Sequence, residues 1–129
     1  MKIYSLLFVI LFLSSCSNMK YDRDVWLKDN DITKMDFINP RSQMIDDVLK
    51  NHLKVGISIE EVHFKLGYVK PSVFAYDKPS NNYVSKDTIL DKNIIGLTYF
   101  IGPTLGDYNL LTVELDENNL VKDFWIRSN

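Results

Sequence analysis

The sequence predicts an α+β domain in which a two-helix hairpin packs on one face of a three-stranded antiparallel sheet, in the order ααβββ. Two observations predict this class. Apolar residues recur at helical spacing in the middle of the chain, and they alternate with other residues in its last third. Each element then has one apolar face, and burying these faces against each other gives a two-layer sandwich.

The first predicted helix begins at Asn39-Pro40. Asn suits the capping position, and Pro suits the first helical position, where its missing N–H is not needed. Apolar residues follow at i, i+3, i+4 and i+8, and Gly56 lies beyond the end of this stripe. Asp46-Asp47 is interpreted as part of a solvated face rather than as an acid/base pair. The stripe consists of Ile45, Val48, Leu49 and Leu53.

The second predicted helix is short and begins at Ser58, with Glu61 three residues later in a capping-box pattern. Gly67 is expected to end it. Phe64 falls off the apolar stripe, so we expect it either to pack beneath the following loop or to belong to a contact surface. The stripe itself consists of Ile59, Val62 and Leu66.

Three runs rich in β-branched and aromatic residues predict the strands, over 94–101, 108–116 and 120–127. Residues 117–119 form the predicted turn of the last hairpin, and 73–76 are compatible with a short additional edge strand. The predicted core combines the helical stripes with one face of the strands. Its members are Ile45, Val48, Leu49, Leu53, Ile59, Val62, Leu66, Leu97, Leu111, Val113, Leu115, Phe124 and Ile126.

The N-terminus has the layout of a secretory signal, with Lys2 followed by an apolar run over 3–13. About 11 apolar residues are too few to span a bilayer, which needs about 20 in helical form. Cys16 directly follows Leu13-Ser14-Ser15, and this resembles the bacterial lipobox. The resemblance implies that the thiol carries diacylglycerol, that the signal is cut before Cys16, and that the new amine is acylated. The alternative is an uncleaved anchor with an incidental cysteine.

These features divide the chain into a signal peptide over 1–15, a lipidated N-terminus and leash over 16–38, and a domain over 39–129. Ser17, rather than Asp, follows the cysteine. By resemblance to enterobacterial lipoproteins, this implies transfer to the outer membrane, with the protein in the inner leaflet facing the periplasm. Apart from the lipid on Cys16, no cofactor is expected. Because Cys16 is the only cysteine, its modification leaves no thiol for a disulfide, a metal or a nucleophile.

Composition argues against several classes of function. The chain has 15 Lys and Arg, one of them in the signal, against 17 Asp and Glu, and these charges are interspersed. Without a basic stripe, nucleic acid is not an expected partner. His52 and His63 are 11 residues apart and no cysteine joins them, so they do not predict a metal site. No triad-like set is visible either, and we expect neither an enzyme nor a small-molecule substrate.

Residues 53–62 followed by Leu66-Gly67 resemble a known signature, L-x-x-G-M-[ST]-x-x-[EQ]-V…L-G-x-P, in which Pro stands two residues after the Gly. Residues 111–122 resemble the last hairpin of the same family. It comprises the small outer-membrane assembly lipoproteins (BamE, also SmpA/OmlA), which share the β-lactamase-inhibitor-like fold. Three positions depart from the family pattern: Ile57 replaces Met, Pro71 lies several residues beyond the usual place, and Asn119 replaces the turn Gly.

The resemblance implies a non-catalytic, membrane-anchored binding or scaffold module with a protein partner, in outer-membrane protein assembly or envelope integrity. The alternative is an inhibitor-type or ligand-binding lipoprotein, since the same fold blocks enzymes. We predict that contact occurs through the outer face of the sheet, where the last strand would place Trp125 and Arg127. These residue types are enriched at binding hot spots. Alternatively, Trp125 packs under the leash against Trp26 and serves stability alone.

Overall fold

The structure is a computed structural model that describes residues 19–28, 39–76, 78–79, 92–104 and 107–128. It confirms the α+β class, with short helices and an antiparallel sheet. Cys16 and the signal peptide lie outside the described residues. The elements in chain order are α1 (Arg23–Lys28), α2 (Pro40–Asp47), a π-helical turn (Val48–His52), α3 (Ile59–Leu66), β1 (Ser72–Ala75), β2 (Asn93–Thr104), β3 (Asp107–Leu115) and β4 (Val121–Ser128).

The sheet has four strands in the order β1-β2-β3-β4, so the prediction of three strands is wrong. The additional strand is β1, which lies in the stretch that was considered compatible with a short edge strand. It pairs with β2 from Ser72↔Gly96 to Ala75↔Asn93. β2 also runs past its predicted end to Thr104, because the register shifts between Phe100 and Gly102 instead of ending there.

Helix α2 begins as predicted, with the Asn39 side chain accepting a hydrogen bond from the backbone N–H of Arg41 at 2.8 Å. It then widens into the π-helical turn, in which the Leu53 N–H donates to the Val48 carbonyl at 2.9 Å. The extra residue in this turn shifts the buried stripe. Met44, Val48 and Leu53 are buried, whereas Ile45 and Leu49 are half-buried.

Helix α3 matches its prediction. The Ser58 hydroxyl accepts from the Glu61 N–H at 3.2 Å, and Gly67 ends the helix with a φ of 96°. Tyr99 of β2 donates its hydroxyl to the Gly67 carbonyl at 2.8 Å, and burial raises the pKa of this phenol. The end of α3 is therefore fixed to the sheet.

Helix α1 was not predicted, because its stretch shows no sustained period. The Asp22 carboxylate caps it by accepting from the N–H groups of Asp24 at 3.0 Å and Val25 at 3.2 Å. Trp26 is fully buried in the core, and its indole N–H donates to the Leu66 carbonyl at 3.0 Å. Part of the expected leash thus packs against the domain.

The core joins residues of all three helices to alternate residues of the strands. Nine of the 13 predicted core residues are buried, and Ile45, Leu49, Phe124 and Ile126 are half-buried and packed against them. Arg41 is buried among these apolar residues, where its guanidinium donates to the carbonyls of Trp26 and Phe100, each at 3.0 Å. The core residues that were not predicted are Trp26, Met44, Tyr99, Ile101 and Val121.

Asp47 fixes the start of the described chain to helix α2. Its carboxylate accepts from the Tyr21 N–H at 2.7 Å and from the Asn51 amide at 2.6 Å, and His52 lies 3.4 Å away. The backbone hydrogen bond from Tyr21 is the main reason that the pKa of Asp47 lies below its ordinary value of 3.8. The ionised form is therefore the one that the folded protein stabilises.

This lowered pKa predicts a loss of stability in acid. A group with a depressed pKa contributes stability above its ordinary value, and that contribution is lost as the pH falls through the folded-state pKa. We expect the free energy of unfolding, measured with urea, to decrease as the pH drops below 3.8. The free energy of unfolding of the Asp47→Asn variant should fall less steeply in that range. Asp46 is an exposed neighbour, and the Asp46→Asn variant should follow the parent. Parallel curves for Asp47→Asn and the parent would contradict this role.

Candidate functional site

The sheet register divides its side chains between two faces. Leu97, Val113 and Phe124 align on the core-facing side. Thr98, Thr112 and Trp125 align on the other side, which we call the outer face. Arg127 is two residues beyond Trp125 and therefore shares this face. The strand pairing thus brings Trp125 and Arg127 to the same face, as their alternation in the sequence predicts.

Trp125 lies in a group of side chains that we call the outer-face cluster, with Tyr76, Lys78 and Asp123. The Tyr76 and Trp125 ring centroids are 5.4 Å apart, and the Lys78 ammonium lies 5.9 Å from the Trp125 ring. Lys78 Nζ is also 2.7 Å from an Asp123 oxygen, and this hydrogen bond raises the pKa of Lys78. The cluster combines aromatic and charged groups in direct contact.

The outer-face cluster connects the two edges of the sheet. β1 and β4 are at opposite ends of the strand order, yet residues just after β1 contact β4. The side chains of Tyr76 and Lys78 therefore reach over the outer face from the β1 edge, and Trp125 is only 6% exposed. Arg127 is half-buried, so the more accessible parts of this site are Tyr76, Lys78 and Arg127. Alternation from Phe74 to Tyr76 was the signal that could have placed Tyr76 here.

Trp125 does not pack against Trp26. Trp26 belongs to the core between α1, α2 and α3, with the Arg41 guanidinium 4.8 Å from its ring. Trp125 belongs to the outer face and contacts Tyr76. The interpretation that pairs the two tryptophans is therefore wrong, and the leash residues 29–38 lie outside the described residues.

The two histidines take part in separate contacts. His63 Nε2 lies 2.9 Å from the Val69 carbonyl, and its ring is 4.9 Å from that of Tyr68. His52 lies beside Asp47, and its ring is tilted against that of Tyr21 with the ring centroids 4.5 Å apart. Within the described ranges, no group of three or more His, Cys, Asp or Glu side chains could hold a metal ion.

A cleft of about 610 Å³ lies where β2 begins and β3 ends. Its charged groups are of both signs, and Glu114 and Lys122 within it pair at 3.8 Å. Glu114 is buried, and the Lys122 ammonium is the basic group that faces it. The lining residues are Lys92, Asn93, Ile94, Ile95, Glu114, Leu115, Asp116, Glu117 and Lys122.

A second exposed region lies at the end of α3. Phe64 is 64% exposed and Tyr68 is 77% exposed, so Phe64 does not pack beneath the following loop. The Arg23 guanidinium of α1 instead lies 4.3 Å from the centre of the Phe64 ring. The apolar stripe of α3 had indicated that Phe64 lies off the core. Its contact with Arg23 could not be predicted, because the position of α1 was not known from the sequence.

Comparisons with protein-family models, with curated proteins and with solved structures give no match. The part of the chain that the structure describes contains no helix with both the length and the apolar character needed to cross a membrane. What is known of the chain's class is therefore its α+β fold with an open four-stranded antiparallel sheet.

Proposed function

We propose that this protein is a membrane-anchored periplasmic lipoprotein that acts as a non-catalytic binding module through the outer face of its sheet. The anchor is the lipid on Cys16, and the partner is a protein of the envelope. The process suggested by the resemblance to BamE/SmpA is outer-membrane protein assembly or envelope integrity. In this arrangement the helices cover the core-facing side in a two-layer sandwich.

The outer-face cluster is the observation that carries this proposal. Tyr, Trp and Arg are the residue types most enriched at binding hot spots, and here they lie on one face. Trp125 supports the surface from below, while Tyr76, Lys78 and Arg127 are the more exposed side chains of this face. The Lys78–Asp123 pair is partly exposed, so it adds little stability and can exchange for contacts with a partner.

The alternative, an inhibitor-type or ligand-binding lipoprotein, would use the cleft beside β2. Its paired Glu114 and Lys122 and the exposed Ile95 offer both polar and apolar contacts to a peptide. A pull-down from detergent-solubilised envelope separates the two functions. Recovery of a membrane-embedded assembly complex supports the first, and recovery of one soluble hydrolase supports the second.

Replacing Lys78 and Arg127 by Ala should abolish partner recovery in that pull-down. Neither side chain belongs to the core, so the melting temperature should fall less than it does for Trp125→Ala. Lys50→Ala, an exposed site on the helical side, is the matched control and should retain the partner. Full recovery with the double variant would exclude the outer face as the contact surface.

Trp125→Ala serves a different purpose in the same experiment. Because this side chain is buried beneath Tyr76, its removal should lower the melting temperature by several degrees in addition to weakening the contact. Trp125 alone therefore cannot separate contact from stability, whereas Lys78 and Arg127 can.

A further inference from the structure

Five residues form a surface on the helical side of the domain, which we call the N-terminal aromatic surface: Met19, Lys20, Arg23, Phe64 and Tyr68. All the apolar members are exposed, with Met19 at 39%, Phe64 at 64% and Tyr68 at 77%. Exposed aromatic side chains next to Lys and Arg are typical of groups that lie at a membrane–water interface.

The first residues of this surface are held firmly on the domain. The Met19 N–H donates to the Gln43 carbonyl at 3.0 Å, and the Tyr21 hydroxyl donates to the Lys65 carbonyl of α3. The Arg23 side chain donates to the Phe64 carbonyl at 2.5 Å and lies over the Phe64 ring. Residues 19–23 thus lie between α2 and α3, and the contact with Arg23 brings Phe64 of α3 close to the start of the described chain.

Covalent geometry then limits how far this surface can be from Cys16. Met19 is three residues after Cys16, and three extended residues span at most about 11 Å. The headgroup layer on each side of a bilayer is roughly 5–8 Å thick. With acyl chains on Cys16 inserted in the membrane, Met19 lies in or beside the headgroups.

We infer that the N-terminal aromatic surface rests on the lipid surface to which Cys16 is attached. This inference depends on the lipidation proposed above, and it adds an orientation. Phe64 and Tyr68 contact the interface, Lys20 and Arg23 reach the headgroups, and the outer face of the sheet points away from the membrane toward a periplasmic partner.

Aromatic and apolar contact, not net charge, provides the attraction. Lys20 and Arg23 are offset by Asp22 and Asp24, and the Asp22 carboxylate is already bound to the backbone of α1. The contact should therefore form on zwitterionic phosphatidylethanolamine membranes as well as on those containing phosphatidylglycerol. Salt should change it little, because screening acts mainly on exposed charges.

The test uses the purified full-length mature lipoprotein in vesicles of phosphatidylethanolamine and phosphatidylglycerol that carry a headgroup quencher. Once Cys16 is acylated no other thiol remains, so Tyr68→Cys, Lys20→Cys and Asn118→Cys can each be labelled with one fluorophore. Asn118 is the control because its turn contacts the beginning of α3, through Ile59 N–H and the Asn119 carbonyl at 3.0 Å. The aromatic surface lies at the opposite end of that helix.

We expect strong loss of fluorescence at Tyr68 and Lys20 and little loss at Asn118. Replacing Phe64 and Tyr68 by Ser should reduce the loss at Lys20, and the melting temperature should stay unchanged because both side chains are exposed. If labels at positions 68 and 118 are quenched equally in a chain whose mass shows the lipid, the proposed orientation is wrong. The lipid anchor is not contradicted by that result. If the label at position 68 is shielded only after envelope proteins are added, the surface binds a protein. This result also overturns the proposed orientation on the membrane. A mass without lipid refutes the anchor itself.

Discussion

Trp26→Ala should lower the free energy of unfolding by about 3–5 kcal/mol, the range for truncating large aromatic residues in a core. Trp26 is fully buried, its indole N–H donates to the Leu66 carbonyl, and its ring faces the Arg41 guanidinium. In a domain of this size such a loss should lower the melting temperature by about 12 °C or more. Urea unfolding followed by circular dichroism measures it.

The conservative variant Trp26→Phe separates packing from hydrogen bonding at this site. Phe fills most of the space but has no N–H, so the Leu66 carbonyl loses its donor, at an expected cost of about 1–3 kcal/mol. The order of stability should be parent, Trp26→Phe, Trp26→Ala. A Trp26→Ala protein as stable as the parent would show that α1 does not belong to the folded core in solution.

Cys16→Ala should leave an unprocessed precursor without lipid, and the membrane fraction should contain no mature form. Without the acyl chains the variant has no lipid anchor, because each buried CH₂ of such a chain contributes about 0.8 kcal/mol to membrane binding. Metabolic labelling with palmitate, followed by mass measurement of the recovered chain, checks both processing and modification. Ser15→Thr, next to the cysteine, is a matched control that keeps the thiol and should still be labelled.

Normal maturation of the Cys16→Ala protein, with its release as a soluble periplasmic form, would contradict the lipobox interpretation. An uncleaved precursor in both parent and variant would instead support the alternative of a signal retained as an anchor. The two outcomes differ in mass, because only cleavage removes residues 1–15.

Local sequence patterns predicted the parts of the fold that depend on local chemistry. Ser58 and Gly67 bound α3 as expected, since a hydroxyl cap and a positive φ are demands that few residues meet. Asn119 likewise adopts a φ of 60° in the predicted turn. The alternation of Leu111, Val113 and Leu115 also gave the correct core-facing side, since these three residues belong to the core cluster, although Thr112 and Glu114 are buried on the outer face.

Parts that depend on distant partners could not be predicted. Helix α1 is only six residues long, and it is stabilised by Trp26 packing under residues about 40 positions away, which no local period reports. The π-helical turn moved burial from Ile45 and Leu49 to Met44 because one extra residue changes the phase of the helix. At the candidate site, alternation placed Trp125 and Arg127, and it could have placed Tyr76 on the same face, but the contact between the Tyr76 and Trp125 rings depends on the tertiary structure.

The position of Trp26 changes where the smallest independently folding unit begins. A fragment starting at residue 39 would retain every strand and both of the predicted helices, yet it would lack the indole that fills the space between them. Arg41 would lose the Trp26 carbonyl as an acceptor, and Leu66 would lose its donor. Any shortened form intended to fold therefore has to include the chain from Met19 onward, where the backbone already pairs with α2 through the hydrogen bond from the Met19 N–H to the Gln43 carbonyl.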